Sequence, residues 1–284
     1  MSGVLWNCPV CEQPLQRVEN SLVCANQHSF DRAKEGYVNL LLANKKKSAD
    51  PGDNREMLES RRCFLQQGYY APLAEGIANA VTQYYADRIE QGDVLTLLDA
   101  GCGEGYYLAR LIALLPGTVQ GYGTDISRTA MRMAARQYSG MQFAVASSFD
   151  LPVADAAVDV LLRVFAPAAD GEIVRVLRGG GLYLWAYPGP RHLFELRQLV
   201  YDDPKLHSVD ESKIPQGQGL TLHDTLNIRY ALKLPDQASV AALLAMTPYF
   251  WSASADKQAH CQQLQSLDVT VDFQVAVMVK ATRE

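Results

Sequence analysis

Leu97-Leu98-Asp99-Ala100-Gly101-Cys102-Gly103-Glu104-Gly105-Tyr106-Tyr107 is the stretch whose reading decides the fold. The apolar run 94–98 reads as a buried parallel strand, and a helical pattern over 106–115 follows a turn with glycine at every second position. Glycine lets the backbone turn tightly and lets a ligand come close, while amides at a helix N-terminus face that ligand. The spacing is Asp-x-Gly-x-Gly-x-Gly. A dinucleotide fingerprint places its third glycine one residue later, to seat a pyrophosphate. This turn therefore points to a nucleoside-like ligand of another kind.

The flanks extend the pattern. Residues 119–126 read as a second strand ending in Asp125, an acid placed to accept hydrogen bonds from both hydroxyls of a ribose. Ser127 caps the next helix, whose Ala130, Met131, Ala134 and Tyr138 form an apolar face. A third strand, 142–146, runs into Ser147 and Ser148, either of which could reach a base. A fourth covers 158–165, a helix 172–177, and a fifth strand 182–187. A helix over 193–201, a mobile polar loop over 202–219, a short strand over 230–234, a helix over 239–245 and an alternating strand over 269–279 complete the pattern. Strands alternating with helices at this spacing predict a doubly wound α/β sheet with ligands beyond the strand C-termini. The cluster Tyr249-Phe250-Trp251 either stacks on RNA or, the favoured expectation, closes the core.

The first segment is of another character. Cys8-Pro9-Val10-Cys11, twelve further residues, then Cys24-Ala25-Asn26-Gln27-His28 match the arithmetic of a zinc ribbon, with Cys8, Cys11, Cys24 and His28 as the ligands. Four protein ligands close the shell, so the metal is expected to be structural. A module this small needs the folding energy that metal binding supplies. Between Arg32 and Arg62 eight basic residues face five acidic ones, inside a chain of net charge −5. With Phe30, Tyr37 and Phe64 interleaved, this segment suits phosphate contact and base stacking, or serves as a solvated linker. Asp53 and Glu56 have capping-box spacing for a helix to about residue 67, and Pro72 opens the next helix. The expected division is a zinc ribbon over 1–43, a basic linker and helix over 44–70, and an α/β domain over 71–284.

Composition narrows the class. Of 284 residues 48% are hydrophobic and 20% charged, ordinary for a soluble globular protein. No apolar stretch approaches the ~18 residues of a membrane span. The N-terminus lacks the layout of a signal peptide, which makes the cytoplasm the expected compartment.

Together these features carry a resemblance. The turn at 99–105, with Asp125 beyond it, resembles motif I of the class I S-adenosylmethionine-dependent methyltransferases. Adding Cys8, Cys11, Cys24 and His28, Ala33-Lys34-Glu35-Gly36-Tyr37-Val38-Asn39-Leu40, Asp50-Pro51-Gly52-Asp53 and Pro188-Gly189-Pro190-Arg191-His192-Leu193, the whole chain resembles the bacterial 23S rRNA (guanine-N1)-methyltransferases, in the branch acting on guanine 745 of helix 35. The resemblance implies a zinc domain gripping an rRNA hairpin, a methyl-transfer domain using S-adenosylmethionine, and a homodimer. It maps cofactor contacts onto Tyr70, Gly103, Glu104 and His192, beside Asp99, Gly101, Asp125 and Ser147 from the motif and strand ends. It also places the target base at Phe165 and Ala166, with Phe165 packing on the guanine and the Ala166 carbonyl accepting from its exocyclic amine. Arg163 is either a phosphate or O6 contact or a buried structural arginine. His192, Asp150 and water are the candidates for accepting the proton. Two rivals are a class I enzyme acting on a small molecule such as a quinone precursor, and a non-catalytic rRNA-binding assembly factor. The first leaves the zinc module idle, and intact glycines with Asp125 count against the second.

Overall fold

The structure is a computed structural model that describes residues 4–45, 52–208 and 219–282. The N-terminal module is a three-stranded antiparallel sheet of β1 (Gln16–Val18), β2 (Ser21–Val23) and β3 (Ser29–Asp31). The chain then enters the large sheet at once. β4 (Val38–Asn39) pairs in parallel with β7 (Gln142–Val145), so the segment after the ribbon forms the outermost strand of the main sheet.

Helix α1 (Arg55–Gln66) follows, capped by Asn54, whose side chain accepts from the Met57 amide at 2.9 Å. The sequence reading put the cap at Asp53; that carboxylate instead pairs with Arg61 at 2.5 Å. Next come α2 (Ala71–Tyr84), with proline in its first turn, and the short α3 (Ala86–Glu90). Alternation then begins: β5 (Val94–Ala100), α4 (Tyr106–Leu114), β6 (Thr118–Asp125), α5 (Arg128–Gln137), β7, β8 (Val158–Val164), α6 (Asp170–Val176) and β9 (Leu177–Pro188). Helix α7 (Phe194–Val200), β10 (Leu220–Leu234), helices α8 (Gln237–Met246), α9 (Pro248–Ser252) and α10 (Ala255–Gln262), and β11 (Leu267–Lys280) close the chain.

The eight-stranded order is β10-β11-β9-β8-β5-β6-β7-β4. Its neighbours from β9 to β4 run parallel, while β11 is antiparallel to both β9 and β10. The central strands are apolar throughout because both faces are covered: Leu97, Leu98, Val160, Leu161, Leu162 and Leu184 are all fully buried.

Two elements exceed the sequence reading. β10 is fifteen residues long rather than a short strand at 230–234. It is an edge strand with many polar residues on its open side, so hydropathy marks only part of it. β9 starts at Leu177 and runs through Gly179–181, ahead of the strand expected over 182–187. The mobile loop expected over 202–219 lies largely outside the described residues.

The zinc module is docked on the sheet. Trp6 is 1% exposed and meets the ring of Tyr122 edge-on at 5.6 Å. The Asn7 amide donates to the Pro152 carbonyl at 2.8 Å, and Leu15 and Leu22 join a core shared with Leu98 and Tyr183. Burial against the sheet thus adds to what a metal contributes in holding so small a module.

Candidate functional site

The first site is in the ribbon. Cys8 and Cys11 lie on one turn and Cys24 and His28 on another, each turn passing through a left-handed residue, Glu12 and Gln27. The ligand atoms all lie within 4.8 Å of one another: Cys8 Sγ to His28 Nδ1 is 3.6 Å, Cys11 Sγ to Cys24 Sγ 3.7 Å, and Cys24 Sγ to His28 Nδ1 3.5 Å. Bonds of about 2.0–2.3 Å to a tetrahedral zinc require ligand separations of roughly 3.3–3.8 Å. The residues therefore fit a structural Zn²⁺ held by three thiolates and an imidazole.

The second site is a cavity of about 580 Å³ beyond the C-terminal ends of β5, β6, β7 and β8, roofed by α1 and by Met246–Tyr249. The glycine turn makes its floor. Gly101 has φ of +82°, and a Cβ there would sit 2.4 Å from the Ala166 side chain, so only glycine lets the β8 exit close over the turn. Tyr70, Asp99, Gly101, Gly103, Glu104, Asp125, Ser147 and His192 all line this one cavity, as do Phe165 and Ala166.

Its electrostatics are set by buried acids. Asp125 accepts the Gly103 amide at 3.0 Å and the Ser127 amide at 2.8 Å, tying the turn to the β6 exit. Burial raises its carboxyl, and those two amides oppose the rise. Asp99 is 1% exposed and lies well above the usual carboxylate range because of burial, then the charges of Asp125 and Glu104. Glu104 is pushed up to about 7 by burial, with Arg61 pulling the other way. One oxygen of Asp99, one of Glu104 and the Tyr70 hydroxyl are buried without a protein partner. Such orphans are costly unless a ligand completes them. S-adenosylmethionine carries hydroxyl and ammonium donors and a second cationic centre at sulfur, so an acidic floor with open acceptors fits that cofactor.

The other wall is aromatic. Phe165, immediately after β8, is 44% exposed and has φ of +53°, a conformation a bulky side chain seldom adopts. Its ring stacks on His192 at 5.9 Å with 23° between planes, and both rings rest on Phe273. His192 Nδ1 accepts the Asp272 amide at 3.3 Å, and burial, with His207 and Arg197 adding to it, lowers the imidazole to about 3. A neutral ring accepting at Nδ1 carries its proton at Nε2 and is a donor, which removes His192 as the proton acceptor. Asp150 is bonded to Lys45 at the surface and is outside the cavity lining.

Arg163 is also outside the cavity lining. Its Nε donates to the Ala166 carbonyl, its Nη1 lies 3.2 Å from the Tyr183 hydroxyl, and its guanidinium lies over Trp185. It fastens the β8 exit loop, and it already uses the carbonyl expected to read the guanine amine. Ser148 is likewise engaged, donating to the Pro167 carbonyl at 2.5 Å, while Ser147 Oγ accepts the Phe149 amide at 3.2 Å.

The sequence reading missed four contributors. Arg61 faces Glu104 and Asp125 from α1, paired with Asp53. Phe149 stands 57% exposed at the cavity. Tyr249 lines the cavity and bonds His207 Nε2 at 3.0 Å, whereas Phe250 is buried and Trp251 is 39% exposed, so the aromatic cluster is only partly core. Asp272 shapes the 188–193 loop by accepting the Arg191 amide at 2.9 Å.

Comparison with known proteins agrees with this architecture. The zinc-ribbon model described as "RlmA, N-terminal" matches residues 6–49, and a methyltransferase-domain model matches 97–181. The 23S rRNA (guanine(748)-N(1))-methyltransferase of Streptomyces fradiae is 35% identical over 89% of this chain and 88% of its own. The chain belongs to the 23S rRNA (guanine-N1)-methyltransferase family. A Bacillus subtilis relative with a provisional name of the same kind is 30% identical over 97% of both chains. The YcgJ protein of Bacillus subtilis aligns in structure with a TM-score of 0.41 at 15% identity, covering 71% of this chain and 99% of that one. The two family models and the sheet order join a class I methyltransferase fold to a zinc ribbon in this chain. Among the described residues no helix is long and apolar enough to cross a membrane.

Proposed function

We propose that this protein transfers a methyl group from S-adenosylmethionine to N1 of guanine 745 in the helix 35 hairpin of 23S rRNA, as a cytoplasmic homodimer. The observation that carries the reading is a zinc ribbon docked on a methyltransferase sheet whose acidic cavity opens beside a strained, exposed phenylalanine. In this reading residues 1–43 grip RNA, 44–70 link and roof the site, and 71–284 carry out transfer.

The cofactor supplies an electrophilic methyl on a cationic sulfur. The chain's part is to hold, orient and exclude water. Asp99, Glu104, Asp125 and Tyr70 offer the buried acceptors for the cofactor's donors, with Ser147 toward its base. A guanine inside a hairpin must leave its stack to reach the cavity. Phe165 receives its face, stiffened by stacking on His192. Neutral His192 serves as a donor, and the N1 proton leaves to water at the open mouth beside Phe165.

The name of the Streptomyces fradiae relative favours guanine 748 as a second reading. Reverse transcription on rRNA from cells lacking the gene, after incubation with protein and cofactor, separates them: methylation at N1 stops extension one nucleotide before the modified base. A stop for 745 supports the first reading, one for 748 the second, and no stop at either opposes both.

A further inference from the structure

Helix α5 carries Arg128, Arg132 and Arg136 at every fourth position, all exposed, and no acidic residue. Like charges four apart repel on a helix, and Arg128 sits at the first helical position, where the macrodipole disfavours a cation. Helix stability gives no reason for the arginines at 128 and 132, whereas Arg136 in the last turn suits the macrodipole. The counter-charge recorded for the ridge among the described residues is Glu35, which Arg136 meets at 3.1 Å and Arg132 at 3.9 Å. Glu35 lies in the turn between β3 and β4, beside the exposed Lys34.

Position gives the ridge its meaning. At one end, Asp125 and Ile126 immediately before α5 line the cavity. At the other, Arg136 abuts the zinc module through Glu35. At 1.5 Å rise per residue the three arginines span roughly 12 Å, about 6 Å apart. A nucleic-acid strand presents its phosphates as a comparably regular row of single charges.

We propose that Arg128, Arg132, Arg136 and Lys34 form a phosphodiester track joining the rim of the cavity to the zinc module, along which the backbone flanking the target nucleotide lies. The inference rests on RNA being the substrate. A second copy of this acidic chain is the other occupant to be tested.

The test is Arg128→Gln/Arg132→Gln in the full zinc-loaded chain, leaving the Arg136–Glu35 bond in place. Binding of a 23S rRNA hairpin and of a uridine oligonucleotide is measured across a salt series, with thermal unfolding and S-adenosylmethionine affinity as folding controls. Losing two phosphate contacts lowers the slope of log affinity against log salt by about 1.5 and weakens hairpin binding about tenfold at 0.1 M salt. An unchanged slope with methylation of rRNA intact overturns the track and leaves the proposed function standing. A reduced slope in the variant, with a parent protein that methylates no rRNA, keeps the track and overturns the function. A change in sedimentation with unaltered RNA binding assigns the ridge to a second copy and overturns the proposal.

Discussion

Glu104→Gln should stabilise the cofactor-free protein at alkaline pH and weaken cofactor binding. Glu104 is 3% exposed, with one oxygen unpartnered, and its carboxyl is raised from 4.5 to about 7. Between those values the folded chain holds a proton that the unfolded chain has released. Stability therefore falls as pH rises through this window and levels off above it. The full difference corresponds to roughly 3 kcal/mol. Glutamine keeps the shape and drops the charge, so the variant's advantage over the parent should widen by roughly 2–3 kcal/mol between pH 5 and pH 8.5. Urea unfolding of both proteins at each pH measures this, and comparing them at equal pH cancels the titrating groups that do not couple to Glu104. The same change removes a charged acceptor for the cofactor, so calorimetry at pH 8 should show S-adenosylmethionine affinity reduced about tenfold to a hundredfold. An advantage that does not change with pH, or an affinity equal to the parent's, would refute the assignment of Glu104 as a buried acceptor completed by the cofactor.

Asp125→Ala leaves the Gly103 and Ser127 amides without their acceptor. It should abolish measurable cofactor binding and cost about 1–3 kcal/mol of stability; an unaltered calorimetric affinity sinks the ribose placement. Phe165→Gly should release left-handed strain of roughly 1 kcal/mol while cutting turnover on rRNA at least tenfold, with cofactor affinity within twofold. Retained turnover would dismiss the ring's role. Because His192 stays neutral down to about pH 3, the pH profile of transfer should lack a limb near 6.5. Such a limb, lost in a His192 variant, would show the ring titrating. Stripping zinc with a chelator should loosen the ribbon and shift the emission of Trp6, now packed on Tyr122. An unchanged spectrum and melting curve count against a structural metal.

The parallel core was legible because covered strands read as unbroken apolar runs, and the glycine turn because only glycine fits where Gly101 meets Ala166. The zinc ligands were legible from spacing, since a tetrahedral ion constrains separation along the chain as well as residue type. What escaped depends on tertiary placement. Nothing local marks Asp53 as a partner of Arg61 rather than a cap, or Trp6 as the anchor of the ribbon on Tyr122. β10 escaped because an edge strand needs apolar residues on one side only. Arg163 held two readings until its bonds to Ala166 and Tyr183 put it beneath the loop. His192 was weighed as a base, and only the amide of Asp272, eighty residues away in sequence, makes it a donor.

The central claim is that one cavity brings an rRNA guanine to S-adenosylmethionine. Its most direct test supplies tritiated cofactor and the zinc-loaded protein to total RNA and small-molecule extract from cells lacking the gene, followed by nucleoside analysis. The account predicts label in 23S rRNA as 1-methylguanosine, lost with Asp125→Ala. Label confined to small metabolites, or RNA binding with no transfer, contradicts it.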